Sequence, residues 1–171
     1  MLWRAPAHAA ELQAHWQALG AALQRDHPAW QREGQRLIRS WSRWPRAYHD
    51  TAHLHACLQH LHAVQHDLPG VLHNPAAMAL ALWFHDAVYW PWSAHNEARS
   101  ADWAARFLRA QTMPAALVDT VHQHILDTRH TPGPLAGDAQ WVVDIDLAIL
   151  GQGTAVYDQF ERNVRHEYFF F

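Results

Sequence analysis

The segment from Pro75 to Val88 constrains the fold more than any other stretch of the sequence. Its side chains are apolar on nearly every side of a helix until the run reaches His85 and Asp86. A helix without a polar face is stable only when its neighbours bury it on all sides. An ionised carboxylate at the end of such a helix is costly unless something compensates it. The segment therefore predicts a central, buried helix with a polar site at its end.

The remaining apolar residues recur at helical spacing, and no stretch alternates as a strand would. Prolines and glycines divide the chain into eight predicted helices. Their approximate bounds are 12–23, 30–44, 51–66, 75–88, 94–110, 114–125, 139–150 and 154–165. No repeat or interdomain linker interrupts them. We therefore predict an all-α fold, a single compact multi-helix domain over residues 1–171, with its polar site within about 46–150.

The composition narrows the classes of function. The chain has 171 residues, half of them hydrophobic and 17% charged, which suits one folded domain. The net charge of −3 gives no general attraction to nucleic acid or acidic membranes. Cys57 is the only cysteine, so no disulfide framework or thiolate zinc site is expected. Residues 1–10 lack a signal core, and no apolar run approaches the ~18 residues of a membrane span. We expect a soluble, cytoplasmic protein without nucleic-acid or membrane partners. A homo-oligomer is left open.

One local charge pattern departs from this neutral background. Five arginines are spaced three to four residues apart and share one helical face: Arg32, Arg36, Arg39, Arg43 and Arg46. Such a stripe fits either a solvated helix face or a phosphate-binding patch, and the solvated face is the more common outcome.

Two histidine pairs carry the candidate chemistry of the first half. His49 and His53 are four residues apart, so both point the same way from one helix. Both could bind one metal, or one could bind metal while the other serves the substrate. His85 and Asp86 point about 100° apart but can converge on an ion between them. A neutral imidazole and a carboxylate suit Mn, Fe, Co, Ni, Zn or Mg. The alternative is a helix end with His85 packed among tryptophans and Asp86 exposed.

The second half adds two carboxylates and one histidine. Asp144 and Asp146 lie in the apolar stretch 141–150 and need compensation there. They are about 200° apart on a helix, so only one can face a given ion. His130 follows the segment 125–129 at the end of the sixth predicted helix. It could be an extra ligand, a substrate contact or a proton donor, or it could only stabilise the helix C-terminus.

Together these residues resemble the HD superfamily of metal-dependent phosphohydrolases. The order of His53, then His85-Asp86, then a late aspartate is similar to the H…HD…D pattern of that superfamily. The resemblance is closest to a small bacterial family of predicted HD phosphohydrolases and covers about residues 10–168. The matching segments are Arg46–His53, Phe84–Tyr89, Asn96–Ala101, Thr128–His130 and Asp144–Gly151, extended by Tyr157, Arg165, Glu167 and Tyr168. Members of that family continue beyond the last of these residues, so this chain is expected to lack a C-terminal segment and to end on three phenylalanines that need cover.

The resemblance implies roles for individual residues. Cyclic-nucleotide phosphodiesterases, which are more distantly similar, carry Y-H-N-x-x-H and a late D-L-S motif. By that likeness His49 is the proton donor, and Asp146 is the late ligand with Asp144 as runner-up. The implied metal ligands are His53, His85, Asp86 and Asp146. His130 and Glu97 would bind a second ion or orient the nucleophile, and Arg46 or Arg129 would neutralise phosphate charge.

The resemblance also implies a function. We expect a metal-dependent phosphohydrolase, a phosphoric ester hydrolase acting on a nucleotide or another small phosphate ester. The alternative is a regulatory module that binds a divalent metal and a nucleotide without turnover. A third, weaker expectation is a purely structural helical protein, which would bind no metal.

Overall fold

The computed structural model of the protein describes residues 6–131 and 133–169. Within these ranges the chain is all-α, as predicted, with eight α-helices, one 3-10 helix and no strand. The α-helices are α1 Ala9–Ala22, α2 Pro28–Trp41, α3 Thr51–Asp67, α4 Pro75–Phe84, α5 Asn96–Ala110, α6 Ala115–Asp127, α7 Asp138–Asp146 and α8 Thr154–Phe169, with the 3-10 helix at Leu147–Gly151. Phe169 is exposed, and the predictions that concern residues 1–5, Phe170 and Phe171 lie outside the described residues.

Helix α4 is the centre of the fold, as its sequence predicts. It packs against α3, α5, α6 and α7, and seven of its ten residues are buried. Its first turn is fixed by Pro75 and by the Asn74 side chain, which accepts a hydrogen bond from the Ala77 N–H at 3.0 Å. Burial of each large apolar side chain stabilises the fold by roughly 1.5–3 kcal/mol. The packing on all sides therefore fixes where the residues after Phe84 lie.

Tryptophans join α1 and α2 to this centre. The rings of Trp16 and Trp30 stack with their centroids 4.6 Å apart. Each indole N–H donates to the other residue's carbonyl oxygen, at 2.8 and 3.2 Å. A Cβ at Gly20 would lie 2.5 Å from Nε1 of Trp30, so the close approach of the two helices requires glycine there. Trp41 donates to the Trp83 carbonyl at 3.0 Å and ties α2 to α4.

Three predicted helix ends are wrong. Helix α2 stops at Trp41 instead of residue 44. Pro45 follows closely, and a proline disfavours the helical conformation of the residue that precedes it. Helix α4 stops at Phe84 instead of Val88. The carbonyl groups just beyond it accept hydrogen bonds from Arg46 and Ser40 instead of from a further helical turn. The predicted helix over 139–150 ends at Asp146 and tightens into the 3-10 helix.

Helix α8 differs from the others in how it is held. Its one buried residue is Glu167, and nearly all its other side chains are half-buried or exposed. The helix therefore docks by a polar contact more than by an apolar face. None of the helices in the described part of the chain is both long and apolar enough to cross a membrane.

Candidate metal centre

Three helices bring His53, His85 and Asp146 to one point. His53 lies in the first turn of α3, where the Asp50 side chain accepts hydrogen bonds from the N–H groups of Ala52 and His53 at 2.8 and 3.3 Å. His85 follows the last residue of α4, and Asp146 is the last residue of α7. One donor atom from each of the three side chains lies within 4.8 Å of the other two. All three are largely buried, so the group could bind a metal ion.

The distances within this group suit one shared ion. Nε2 of His53 lies 3.1 Å from Oδ1 of Asp146, and Nε2 of His85 lies 3.3 Å from the same oxygen. Donor atoms bonded at about 2.1 Å to one ion, at tetrahedral to octahedral angles, lie roughly 3.0–3.4 Å apart. Both distances to Asp146 therefore match those of a coordination sphere.

The tautomer of His85 leaves a nitrogen available to a cation. Nδ1 lies 2.9 Å from the Leu82 carbonyl oxygen, which can only accept, so we assign the ring proton to Nδ1. Nε2 is buried and has no hydrogen-bond partner within the described residues. A buried polar atom without a partner is costly. Its lone pair points at the Asp146 and Asp86 carboxylates, where a cation would satisfy it.

Negative charge dominates this point of the structure. Burial disfavours the His85 imidazolium, but the Asp146 and Asp86 carboxylates outweigh it and raise the pKa of His85 to about 9. Burial likewise raises the pKa of Asp146, but His85, with hydrogen bonds from His130 and His53, holds that pKa well below its usual range. The carboxylates thus favour a positive charge at this site, whether from a proton or from a metal ion.

The other two predicted aspartates are placed differently. Oδ2 of Asp86 lies 3.5 Å from Nε2 of His85 and 4.0 Å from Nε2 of His49. Asp86 therefore lies beside the three-residue group, between it and His49, without belonging to it. Asp144 is exposed. Of the two late aspartates, Asp146 is the one beside the histidines.

His130 joins the group from the loop after α6. Its Nε2 lies 3.3 Å from Oδ2 of Asp146, and its side chain is 42% exposed. Its φ of 52° is in the left-handed region, which costs a non-glycine residue free energy. The loop thus turns the ring back toward the carboxylate, on the side that faces solvent.

His49 is held by a buried carboxylate that the sequence motifs did not identify as part of the site. Nδ1 of His49 lies 2.7 Å from Oε2 of Glu167, and Glu167 has no exposed surface. The other carboxylate oxygen accepts the N–H groups of Ala47, Tyr48 and His49 at 2.7–2.9 Å. The Tyr89 hydroxyl donates to Oε2 at 2.8 Å. Glu167 therefore fixes the ring of His49 and leaves Nε2 facing Asp86.

The two charges stabilise each other. Burial raises the pKa of Glu167, but His49 and the backbone N–H groups outweigh it and lower that pKa to about 2. Burial lowers the pKa of His49, but the hydrogen bond to Glu167 and the charge of Asp86 outweigh it, so the pKa is raised. His49 thus favours the imidazolium form.

Two cavities open onto the group. One of about 250 Å³ is lined by His49, His85, Asp86, Glu97 and His130. Asp146 contributes to both cavities, and the second, of about 400 Å³, also contains His53. The remaining walls of the second cavity are mainly apolar side chains from α3, α7, the 3-10 helix and α8: Ala52, Ala56, Ile145, Ala148, Ile149 and Val156. The three-residue group lies between a polar and an apolar space.

Neither Arg46 nor Arg129, the two residues predicted to neutralise phosphate charge, lines these two cavities. Arg46 donates to the carbonyl oxygens of His49 and Asp86 at 2.7 Å and of Ala87 at 3.2 Å. Its N–H groups thus fix the backbone around the site. Arg129 is exposed in the loop beside His130.

Neither a protein-family model, a curated protein nor a solved structure matches this chain. The motifs and the geometry of the metal centre are therefore the features from which its chemistry can be inferred.

Proposed function

We propose that the protein is a metal-dependent phosphohydrolase that acts on a nucleotide or another small phosphate ester. The observation that carries the proposal is the spacing of His53, His85 and Asp146, whose donor atoms are 3.1–3.3 Å apart where they meet at Asp146. The order of these residues along the chain, which resembles the HD superfamily, suggests the class of reaction.

The ligand set follows from the site. His53, His85 and Asp146 would hold a divalent cation, with Asp86 completing the set from 3.5 Å beside His85. A bound divalent cation supplies a Lewis acid for a phosphoryl oxygen and lowers the pKa of water. Mixed imidazole and carboxylate donors are compatible with Mn, Fe, Co, Ni, Zn or Mg.

His49 would act as the general acid. Glu167 holds its Nδ1 and favours the imidazolium, while Nε2 faces the cavity beside Asp86. A proton held at Nε2 can pass to the oxygen of the leaving group as the P–O bond breaks. The same arrangement places Nε2 of His49 4.0 Å from Oδ2 of Asp86, beside the residues that would hold the metal.

Each of the two cavities would bind a different part of the substrate. The polar cavity, which contains Glu97 and His130, would hold the phosphate and the nucleophile, and these two residues would orient the nucleophile or bind a second ion. The apolar cavity would accept the non-phosphate part of the ester. An ester with an uncharged organic group is favoured over inorganic polyphosphate by this arrangement.

The test is phosphate release from a panel of nucleotides and phosphomonoesters with Mn, Co, Ni or Mg. The double variant His85→Ala with Asp86→Ala should lose turnover. His49→Gln should lower kcat by about 10²–10⁴-fold with the affinity for metal retained. Asp144→Asn, which alters an exposed residue of the same helix as Asp146, should keep full activity. Turnover that survives the double substitution would contradict the proposal. Thermal stabilisation by metal and nucleotide without product would favour the binding module instead.

A further inference from the structure

We propose that a third cavity, lined by four of the five arginines of the stripe that begins on α2, binds a phosphorylated small molecule that carries a planar ring. This cavity encloses about 470 Å³ between the second half of α2, residues 43–46 and residues 87–90. Its charged and aromatic walls come mainly from six side chains: Arg36, Arg39, Arg43, Trp44, Trp90 and Trp103. We call it the arginine cavity. The proposal goes beyond the phosphohydrolase function and does not depend on it.

Most of the positive charge in the arginine cavity has no carboxylate partner. Arg36, Arg39 and Arg43 follow each other at spacings of three and four residues, which places them on one side of α2 and its extension. No carboxylate is among the residues that line the cavity. Across the described ranges of the chain, neither Arg39 nor Arg43 forms an ion pair. Several guanidinium groups around one space are the usual environment of a phosphate group.

Arg36 is already positioned for such a contact. Its guanidinium lies 4.5 Å from the centroid of the Trp103 ring. Its Nη1 lies 3.7 Å from the carboxylate of Glu33, which also accepts a hydrogen bond from the Trp103 indole. A guanidinium stacked on an indole keeps the N–H groups at its edge available. Binding an anion therefore costs little ordering of this side chain.

Arg46 contributes charge but few donors. It lines the arginine cavity, yet its guanidinium donates to the carbonyl oxygens of His49, Asp86 and Ala87. The direct contacts to an anion would therefore come from Arg36, Arg39 and Arg43.

Two exposed tryptophans of the arginine cavity indicate that the ligand carries a planar ring besides its phosphate. Trp44 is 70% exposed and Trp90 is 53% exposed, and both line the arginine cavity. Exposed aromatic side chains that group around one space, unlike scattered ones, are typical of a binding surface. Indole rings stack readily on planar rings such as nucleobases. A role in neutralising the C-terminus of α2 would need only one basic side chain and would leave the two tryptophans unexplained.

The arginine cavity is separate from the metal centre but shares a wall with it. Asp86 lines the polar cavity of the metal centre, whereas Ala87, Val88 and Trp90 line the arginine cavity. Tyr89 lines both. A ligand in the arginine cavity would therefore lie behind the segment that carries Asp86 and would not contact the three-residue metal group.

Calorimetric titration in EDTA tests the proposal. EDTA removes divalent metal, so metal-dependent binding of the probe at the metal centre does not contribute to the signal. The probes are ADP, pyrophosphate and adenosine. We expect ADP to bind one to one, with an affinity that falls as salt rises. Pyrophosphate and adenosine should each bind more weakly, since each lacks one half of the ligand.

Substitutions distinguish binding in the arginine cavity from a general effect of positive charge on the protein surface. Arg39→Ala with Arg43→Ala should weaken ADP binding at least tenfold, and Trp90→Ala should weaken ADP binding more than pyrophosphate binding. The matched control is Arg32→Ala with Arg109→Ala, which removes the same charge from exposed positions outside the cavity, and its affinity should stay within about twofold of the wild type. The proposal is overturned if millimolar ADP does not bind, or if both double variants bind it equally. Tighter binding of a single-stranded oligonucleotide of about ten nucleotides than of ADP would also overturn it, in favour of a nucleic-acid surface.

Discussion

Replacing Glu167 by glutamine removes the charge that orients His49 and leaves the shape of the side chain unchanged. The glutamine oxygen can still accept from the N–H groups of Ala47, Tyr48 and His49, but its amide group faces Nδ1 of His49 instead of a carboxylate. The structure lowers the pKa of Glu167 from 4.5 to about 2. One unit of pKa corresponds to about 1.4 kcal/mol. Ionised Glu167 therefore stabilises the packing of α8 on the rest of the domain by about 3 kcal/mol more than its neutral form does.

The pH range over which Glu167→Gln destabilises the packing of α8 depends on the pKa of Glu167 and on that of His49. Glu167 has a lowered pKa, so its contribution is complete above its ordinary pKa of 4.5 and is lost as the pH falls toward 2. His49 has a raised pKa, so its contribution is complete below its ordinary pKa of 6.5 and is lost as the pH rises through its folded value. The Glu167→Gln effect should therefore be largest between about pH 4.5 and 6.5.

Hydrogen exchange at the three amides that donate to Glu167 measures the effect directly. At about pH 5.5, in EDTA, Glu167→Gln should reduce their protection by roughly two orders of magnitude, while amides in the centre of α4 keep theirs. Glu161→Gln is the matched control, because Glu161 lies on the same helix in an exposed ion pair with Arg165, and such pairs contribute little. Protection that is unchanged in Glu167→Gln at this pH, or reduced equally below pH 3, would refute the reasoning.

Two further predictions concern the metal centre and the core. Asp146→Asn should weaken Mn²⁺ binding in calorimetry by about a hundredfold or more, whereas Asp144→Asn should leave it unchanged, and equal effects would reject the assignment of Asp146. Gly20→Ala should destabilise the protein by about 1–3 kcal/mol in urea unfolding, because the new Cβ meets the Trp30 ring, while Gly151→Ala, with open space around it, should not. A Gly20→Ala protein as stable as the wild type would show that the packing of Trp16 on Trp30 can relax.

The helices were predictable because their signals are local. The apolar spacing of each segment and the prolines between segments are read within about fifteen residues, and α4 was identified as central from its composition alone. The end of α4 was not predictable in this way. The carbonyl groups beyond Phe84 are taken by Arg46 and Ser40, which lie about forty residues earlier in the chain.

The candidate ligands were accessible from sequence for a similar reason. His53, His85 and Asp146 each lie in a short motif whose spacing on a helix limits where the side chain can point. The choice between Asp144 and Asp146 could not be made from spacing, because two positions 200° apart are equivalent until a core is known. The buried side of α7 distinguishes them.

Glu167 and Arg46 show what the sequence could not indicate. Helix α8 is polar on most sides, so nothing in its own sequence marks Glu167 as buried. The charge of Arg46 suggests a phosphate contact, and the sequence does not reveal that its guanidinium donates to three backbone carbonyls. In both cases the role depends on a contact between distant segments, which composition and periodicity do not report.

The polar attachment of α8 affects the order in which parts of the protein unfold. The contact between His49 and Glu167 joins residues 118 positions apart, and little apolar surface of α8 reinforces it. Elements held in this manner open on their own, at a lower free energy than the whole domain. Mild denaturant near pH 6 should therefore yield a population whose central helices are folded and whose His53, His85 and Asp146 remain together, but in which Glu167 no longer orients His49. Under the proposed function, an assay of folding and an assay of turnover would therefore give different midpoints, and the folding assay would overstate the active fraction of the sample.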